Sequence, residues 1–499
     1  MRELRPEVVV RRPGALPLYL CLILGVVQGL ALVFFGIKGA AVTLGAAYIY
    51  AVFRWPHLAL IAALVFINDG LGLINAQTFF RIRGVFQLKD LIFLSLFLPL
   101  LLNKKWQRRA ESILHDCRRL LIPIVAILVL TALQMVRTSL QYDLPLNTCI
   151  IAGRHYWYYA FLPLAAIYLD DLHKRDVTYT LFLLVISVLA SIVVIQTIIL
   201  SQGGRLFLAD TIQVQRYGRG SLSLARIYPP GEPALVLGFA LAFWGMALTN
   251  VTRKRVSNTV VVSLCALAIL LVNSRMRWIH TLLVVLIPLV FLWPHIPRAA
   301  RRLGAATCIL VLGMVSIFGW ADRPDSYLSG IGGRAVSAWT DFRDKKGSWE
   351  YRLEDNQFRF ELIREHPLFG LGFVHSDYAW RFGAGEVVKQ TDVLSYKRGV
   401  TSTDSGIVDL LVHFGAVGGI WTMWYFVSVL RFCSGMMKMT SPQNGLLYWV
   451  PIPLIAYMTG GVLTFVTLGL FTQVGDIIGH SFVLGMLGAG AHREFEFEH

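Results

Sequence analysis

Long apolar runs alternate with short polar segments along almost the whole chain. A helix that crosses the hydrocarbon of a bilayer needs about 20 mostly apolar residues. Backbone groups in lipid must be paired within the protein, which a helix achieves by itself. The pattern therefore predicts a polytopic α-helical membrane protein. The apolar runs lie near residues 16–37, 39–53, 57–76, 88–102, 119–137, 156–169, 177–200, 231–249, 257–272, 278–294, 303–320, 404–430, 445–470 and 475–491.

The second, fourth, sixth and last of these runs are short for a complete span. We therefore expect an all-α fold with about 12–14 transmembrane helices. Composition agrees, because 56% of the 499 residues are hydrophobic and only 15% are charged. A soluble protein carries roughly 25% charged residues, so this chain has too little charge to cover a water-exposed surface of its size.

Basic residues are concentrated in alternate polar segments, and the chain as a whole carries a formal net charge of +16. In a membrane protein such segments face the cytoplasm, where they also contact anionic lipid. The charge therefore indicates orientation rather than nucleic-acid binding, and it predicts that both termini are cytoplasmic. The residues concerned are Lys104, Lys105, Arg108, Arg109, Arg118, Arg119, Arg253, Lys254, Arg255, Arg298, Arg301, Arg302, Arg431 and Lys438.

With that orientation, two long polar segments lie outside. The predicted division is N-terminal spans over 1–200, an external arginine-rich loop over 201–232, spans over 233–320, a large external loop subdomain over 321–403, and C-terminal spans with a short cytoplasmic tail over 404–499. Within the larger loop, Trp349 to His366 predicts an amphipathic helix with Trp349, Leu353, Phe360 and Ile363 near one face. Pro367 and Gly370 end it.

Arginines on the outer side are not explained by the orientation rule. Arg219 and Arg226 lie in the first external loop, and Arg275 and Arg277 lie in a short turn between two spans. A guanidinium binds phosphate or carboxylate through two parallel hydrogen bonds, so these residues are candidates for anion binding. The alternatives are that they reach lipid headgroups, or that Arg226 pairs with nearby Glu232.

Acidic and histidine side chains occur at the start of the span that follows the large loop. Asp404 is a helix N-cap by one interpretation and a general base for a hydroxyl nucleophile by another. Asp409 and His413, four residues apart, share a helix face. Ionisable residues within spans are functional candidates. The alternative is that the two side chains only pair with each other inside the bundle.

Motifs for nucleotide chemistry are missing from the sequence. It contains no Walker A, GxGxxG or HExxH motif, and no Asp-x-Asp arrangement of the kind that holds a divalent cation with a nucleotide sugar. ATP-driven transport and nucleotide-sugar chemistry are therefore disfavoured.

Several motifs occur in a characteristic order. Asn273-Ser274-Arg275 at an outer turn is followed by a long outer loop. The loop holds Arg352 and the run His366-Pro367-Leu368-Phe369-Gly370-Leu371-Gly372-Phe373, and Asp404-Ser405-Gly406 through His413-Phe414-Gly415 follows. In this order, from about Arg226 to Gly419, the chain resembles the O-antigen ligase and O-antigen polymerase superfamily of bacterial membrane glycosyltransferases.

The resemblance implies transfer of a glycan from an undecaprenyl-pyrophosphate carrier to an acceptor hydroxyl, at the outer face of the bacterial cytoplasmic membrane. It implies no cofactor and no metal, since arginines neutralise the leaving pyrophosphate. The residues so implied are Arg226, Arg275 and Arg352, and less directly Arg277 and Arg219. The partners are the lipid-linked donor, a glycan or lipid-linked glycan acceptor and membrane lipids, with no nucleic acid.

One departure from the family concerns the base. The ligases place a His-Asn pair at the start of the span after the long loop, whereas this chain has Asp404 and Ser405. We therefore expect Asp404 to be the base, with His413 as the alternative, and polymerisation of a repeat unit rather than transfer to lipid A core. A flippase for a lipid-linked oligosaccharide and a non-catalytic scaffold are the competing functions.

Overall fold

The computed structural model consists of helices and two short β-hairpins. It describes residues 43–68, 71, 87–169, 171–201, 214–217, 224–227, 231–249, 251–272, 274–320, 348–382, 387–391, 394–397, 400, 406–439, 446–464 and 471–498. The described residues up to Ala59 belong to one unit and those from Leu60 onward to a second. In the first unit, residues 43–54 are helical, as the second apolar run predicts.

The remaining helices and strands follow in chain order. The helices are α1 Pro56–Ile67, α2 Leu88–Ser95, α3 Leu98–Leu102, α4 Lys104–Asp116, α5 Arg118–Tyr142, α6 Leu146–Gly153, α7 Phe161–Tyr168, α8 Leu172–Ser201, α9 Pro233–Leu248, α10 Thr252–Val272, α11 Arg275–Phe291, α12 Arg298–Trp320, α13 Ser348–Glu365, α14 Gly406–Met439, α15 Leu446–Trp449, α16 Pro451–Thr464 and α17 Val474–Glu498. The strands are β1 Val214–Tyr217, β2 Leu224–Ile227, β3 Val387–Thr391 and β4 Leu394–Lys397. Short 3₁₀ helices cover Arg154–Ala160, Trp293–His295 and Ser376–Phe382.

The all-α membrane class is confirmed. Within the described residues, six helical segments are long and apolar enough to cross a membrane: 118–142, 172–199, 252–272, 406–438, 446–464 and 474–491. Three shorter apolar helices cover 56–67, 233–248 and 276–291. The expected total of 12–14 spans stays a prediction, and the first apolar run lies outside the described residues.

Several apolar runs do not coincide with a single α-helix of the same length. The run over 88–102 is divided between α2 and α3, with a proline at the start of α3. The run over 156–169 begins as a 3₁₀ helix that is rich in tyrosine. The last run, which is short in sequence, belongs to a helix of 25 residues because α17 continues into the polar C-terminal residues.

Among the described residues, each of the two segments that the sequence predicts to be external contains an antiparallel hairpin. In the first, β1 pairs with β2 so that Gln215 lies opposite Arg226. In the second, β3 pairs with β4 across an irregular register. These hairpins are small additions to a helical bundle and leave the fold class unchanged.

The predicted helix is present as α13, which ends at Glu365, just before Pro367. Phe360, which was expected on a buried apolar face, is on the exposed side. Phe360 is 53% exposed, whereas Arg359 and Leu362 are buried. Nε of Arg359 donates a hydrogen bond to the carbonyl of Val400, 3.2 Å away, so the helix is fixed through a buried polar contact.

Hydrogen bonds and ion pairs define which helix ends lie together. Glu232 before α9, Arg277 in α11 and Asp476 in α17 form one cluster, so these three helices begin at the same end of the bundle. The Sγ of Cys117, which precedes α5, lies 3.5 Å from the carbonyl of Gly488 near the other end of α17. Helix α5 therefore ends where α17 begins. We name this the distal end.

The basic segments lie at the opposite, basic end. Lys254 at the start of α10 is 3.6 Å from Asp176 at the start of α8, so both helices run from the basic end to the distal end. Helix α14 is antiparallel to α5, because the indole of Trp421 donates to the Pro123 carbonyl and His413 lies beside Gln134. The predicted grouping of the basic segments is thus present in the bundle.

Candidate functional site

Helix α14 is interrupted near the distal end. Gly415 has a φ of 60° and a ψ of −148°, so the helix consists of two parts that meet at this residue. An interrupted helix leaves carbonyl groups before the break and amide groups after it without partners in the helix. Buried in a bundle, those groups require other partners.

The segment 366–373, which we name the HPLFGLGF segment, supplies these partners. The amides of Leu371 and Gly372 donate to the carbonyl of Val412 before the break, at 2.7 and 3.2 Å. After the break, the amide of Ala416 donates to the carbonyl of Pro367 at 2.8 Å, and the amide of Val417 to that of Leu368 at 3.2 Å. The segment and the helix thus satisfy each other's backbone groups.

Two glycines make this close approach possible. Gly370 has a φ of 67°, which only glycine adopts without strain. A Cβ at Gly370 would lie 2.5 Å from the Val412 carbonyl oxygen and 2.7 Å from the Gly415 amide nitrogen. A Cβ at Gly415 would lie 2.5 Å from the Gly370 amide nitrogen. The motif glycines are therefore required by backbone contact.

The distal third of α5 supports the segment from the other side. The side-chain amide of Gln134 donates to the carbonyl of Phe369 and, at 3.0 Å, to the carbonyl of His413. The hydroxyl of Thr138 accepts from the amide of Phe373 at 3.1 Å. The guanidinium of Arg137 donates to the carbonyl of Gly370. Three side chains of α5 therefore position the HPLFGLGF segment against α14.

His413 lies within this assembly and is buried. Its Nδ1 is 3.1 Å from the hydroxyl of Tyr156, and its ring centroid is 4.8 Å from that of Phe373 and 5.9 Å from that of His155. Asp409 is also buried, as expected from a shared helix face. The aromatic enclosure gives His413 a polar partner inside the protein and restricts the approach of a substrate hydroxyl.

Asp404 and Arg219 lie outside the described residues. The described part of α14 begins at Gly406, two residues after Asp404. The proposed roles of Asp404 and Arg219 therefore remain predictions from the sequence.

The other candidate arginines are located by their backbone elements. Arg226 lies in β2, which packs against α8 and α10. Arg275 is the first residue of α11, and α10 ends at Val272 just before it. The elements that carry Arg226 and Arg275 are therefore neighbours at the distal end. Arg352 lies in α13, which packs against α14.

Arg277 has a different environment from the one expected of an anion-binding residue. It is buried, with Nε 3.1 Å from Oε1 of Glu232 and a terminal nitrogen 3.1 Å from Oε1 of Gln473. Its other terminal nitrogen is 3.8 Å from Oδ2 of Asp476, whose second oxygen accepts from the Tyr457 hydroxyl. Glu232 is thus paired with Arg277, a partner that the sequence did not indicate.

Three functional candidates were not recognised in the sequence. Arg137 closes an apolar run and therefore looked like the end of a span, while Gln134 and Tyr156 lie inside apolar runs. The available signal was a polar side chain at each of these positions, since polar groups in spans carry a free-energy cost and need partners. Only the fold identifies the partners.

A second buried ion pair lies beside the same bundle end. Arg154 is 3.0 Å from Oδ2 of Asp90, and the hydroxyl of Tyr158 donates to Oδ1 of Asp90 at 3.0 Å. Across the described ranges, no group of three or more His, Cys, Asp or Glu side chains is arranged to hold a metal ion.

Comparison with known proteins gives one family. A family model described as O-antigen ligase matches residues 259–423. The matched segment begins within α10 and ends within α14, so it includes Arg275, Arg352, the HPLFGLGF segment, Asp404 and His413. No curated protein matches the chain significantly.

Proposed function

We propose that this chain, whose residues 259–423 match the O-antigen ligase family, moves a glycan from an undecaprenyl-pyrophosphate carrier to an acceptor hydroxyl. The reaction is an inverting, metal-independent transfer at the outer face of the bacterial cytoplasmic membrane. Its product is the elongated repeat-unit polymer of an O-antigen, capsule or exopolysaccharide. The observation that carries the proposal is the O-antigen ligase match over 259–423, the segment that contains Arg275, Arg352, Asp404 and His413.

The chemistry requires one bond to form and one to break. The acceptor oxygen attacks the anomeric carbon as its proton moves to a base, and the carbon–oxygen bond to the carrier pyrophosphate breaks with its electron pair on the pyrophosphate. Pyrophosphate is a stable leaving group once its charge is neutralised, so the reaction needs a base and cations. It does not need the second carboxyl group of glycoside hydrolysis.

We assign the cations to Arg226, Arg275 and Arg352, with Arg219 as a further candidate. Bidentate hydrogen bonding to phosphate is a property of arginine that lysine does not share. Arg137 joins this set, because its guanidinium is held at the distal end by the Gly370 carbonyl. Arg277 is a weaker candidate, because Glu232, Gln473 and Asp476 already occupy its guanidinium.

We assign the base to Asp404. A positive charge beside a carboxylate favours the ionised form that a base requires, so the assigned arginines suit Asp404 to this role. His413 is the alternative, and its contact with Tyr156 and enclosure by aromatic rings support a positioning role for it instead. Because aspartate stands where the ligases have histidine, we propose polymerisation ahead of transfer to lipid A core.

A transport function is the second candidate, since a flippase for lipid-linked glycans also needs cations. The test is to place purified protein in vesicles with a lipid-linked glycan and to measure free undecaprenyl pyrophosphate and glycan length. A polymerase releases one molecule of carrier pyrophosphate for each glycan transfer that lengthens the polymer. Movement of the intact lipid-linked glycan across the bilayer, without carrier release, would assign the protein to transport.

A further inference from the structure

One face of α5 is apolar and exposed along its whole length. The exposed residues recur every three or four positions, which places them in one stripe on the helix surface. They are Ile122, Val125, Val129, Leu133, Val136 and Leu140. The opposite face is buried against the bundle. Since residues 118–142 qualify as a membrane span, the stripe, which we name the α5 stripe, faces lipid.

A cation lies at the distal end of the α5 stripe. Arg137 follows Val136 directly and is half-buried. It is 18 residues beyond Arg119, a rise of about 27 Å at about 1.5 Å per residue. With Arg119 at one surface of hydrocarbon about 30 Å thick, Arg137 lies close to the opposite surface. This is the depth at which the phosphate of a lipid is found.

Arg137 differs from two other arginines of this bundle end in having no carboxylate partner within the described ranges. Arg154 and Arg277 are paired with Asp90 and Glu232, respectively. Arg137 has no carboxylate within ion-pair distance among the described residues. Its guanidinium is fixed by the Gly370 carbonyl and lies 6.0 Å from the centre of the Phe369 ring. It is therefore an oriented cation whose anion is not supplied by the described part of the chain.

The HPLFGLGF segment extends the apolar surface beside this cation. Leu368 is 63% exposed and Phe369 is 51% exposed. Both belong to the segment that is hydrogen-bonded to α5 on one side and to α14 on the other. The described part of α14 begins two residues after Asp404. The α5 stripe and these two side chains thus form an apolar surface with Arg137 at its distal end.

We propose that the α5 stripe, together with Leu368 and Phe369, is the docking surface for the polyprenyl tail of the donor. Arg137 binds the phosphate nearest the tail through its free N–H groups. This inference rests on the proposed function and names the surface by which the donor reaches it. Ordinary phospholipids also offer apolar chains and a phosphate, so contact with bulk lipid is the competing outcome of the test.

Helix α8 offers a matched control. Its exposed Leu184 and Val188 are the same residue types as Leu133 and Val136 and have a similar exposure. They are four positions apart on the helix, whereas Leu133 and Val136 are three apart. The distal half of α8 contains no arginine. A lipid-facing surface of equal size but without the cation is therefore present in the same molecule.

The test compares two donors with the same glycan pyrophosphate, one carrying the full polyprenyl tail and one a short tail. The variants are Leu133→Ala with Val136→Ala, and Leu184→Ala with Val188→Ala. The measured quantity is the ratio of kcat/KM for the long-tailed donor to that for the short-tailed donor. We expect the α5 pair to lower this ratio by about threefold or more, because packing against the tail is lost. The α8 pair keeps the wild-type ratio.

Arg137→Gln provides the second arm. It removes the charge while retaining a polar side chain, so KM should rise for both donors. An equal ratio in wild type and both double variants would overturn the docking surface and leave bulk lipid as its occupant. If the wild-type protein transferred neither donor, the proposed function itself would fail, which is a distinguishable result.

Discussion

Gly370 and Gly415 meet through backbone atoms so closely that neither position has room for a side chain. A Cβ on either residue would lie 2.5 Å from a backbone atom across the contact. This contact joins the HPLFGLGF segment to the break in α14 and fixes both beside His413. The distal site therefore depends on two residues without side chains of their own.

Replacing either glycine with alanine should separate the segment from the helix. Both residues have positive φ, so strain of about 1–3 kcal/mol adds to the clash. We expect Gly370→Ala and Gly415→Ala to lower the apparent Tm in detergent and to reduce glycan transfer. Gly435→Ala is the control on the same helix, because a Cβ there has nothing within 4 Å. A wild-type Tm for Gly415→Ala would show that the contact contributes little.

The ion pair of Arg277 with Glu232 should be structural. Removing one partner of a buried pair leaves an uncompensated charge and costs about 3–5 kcal/mol. Arg277→Ala should therefore reduce the yield of folded, monodisperse protein on size-exclusion chromatography. Adding Glu232→Gln removes one of the two carboxylates near Arg277 and should recover part of that yield. A well-folded Arg277→Ala protein that lacks only transfer would instead assign Arg277 to the pyrophosphate.

We expect a loss of transfer, and not of folding, when alanine replaces Arg226, Arg275 or Arg352. Alanine at any of them should lower glycan transfer by about 10²-fold or more, as for loss of a charge-stabilising donor, with membrane expression intact. Lysine should restore little, because it lacks the guanidinium fork. Arg119→Ala, an exposed cation at the basic end, should retain activity. Full transfer by all three lysine variants would indicate that these residues only contact lipid headgroups.

We predict the orientation of the bundle in the membrane from its basic end. A reporter fused after Arg119 should behave as cytoplasmic, and one inserted near Gly347 as external, because basic segments are retained inside. The measurement is the activity of an alkaline-phosphatase reporter, compared between the two positions. The reverse pattern would move the distal end, and with it the proposed site, to the cytoplasmic side.

The sequence predicts local properties of this fold well. Apolar length and the grouping of basic residues depend on each segment alone, and the long helices appear where the runs predict them. The amphipathic helix α13 was also predicted, but its buried Arg359 was not, because the carbonyl that it binds belongs to Val400, a residue distant in sequence.

The parts of the site that depend on distant contacts could not be predicted. Nothing near Gly415 in the sequence indicates that the HPLFGLGF segment completes its hydrogen bonds. Likewise, Glu232 is closer in sequence to Arg226 than to Arg277, yet the fold brings Arg277 to it. The order of motifs indicated the family whose model matches residues 259–423, whereas the partner of each charge was set by packing.

The most direct test of the account is the rate of carrier release by Asp404→Asn in vesicles that contain a lipid-linked donor and acceptor. Asparagine keeps the size of the side chain and can still cap a helix, so the variant should fold and bind donor as wild type does. We predict that the rate falls by about 10²-fold or more, the usual loss for a general base, and that Asp404→His restores part of it. A wild-type rate for Asp404→Asn, together with an inactive His413→Ala, would contradict this assignment and make His413 the base.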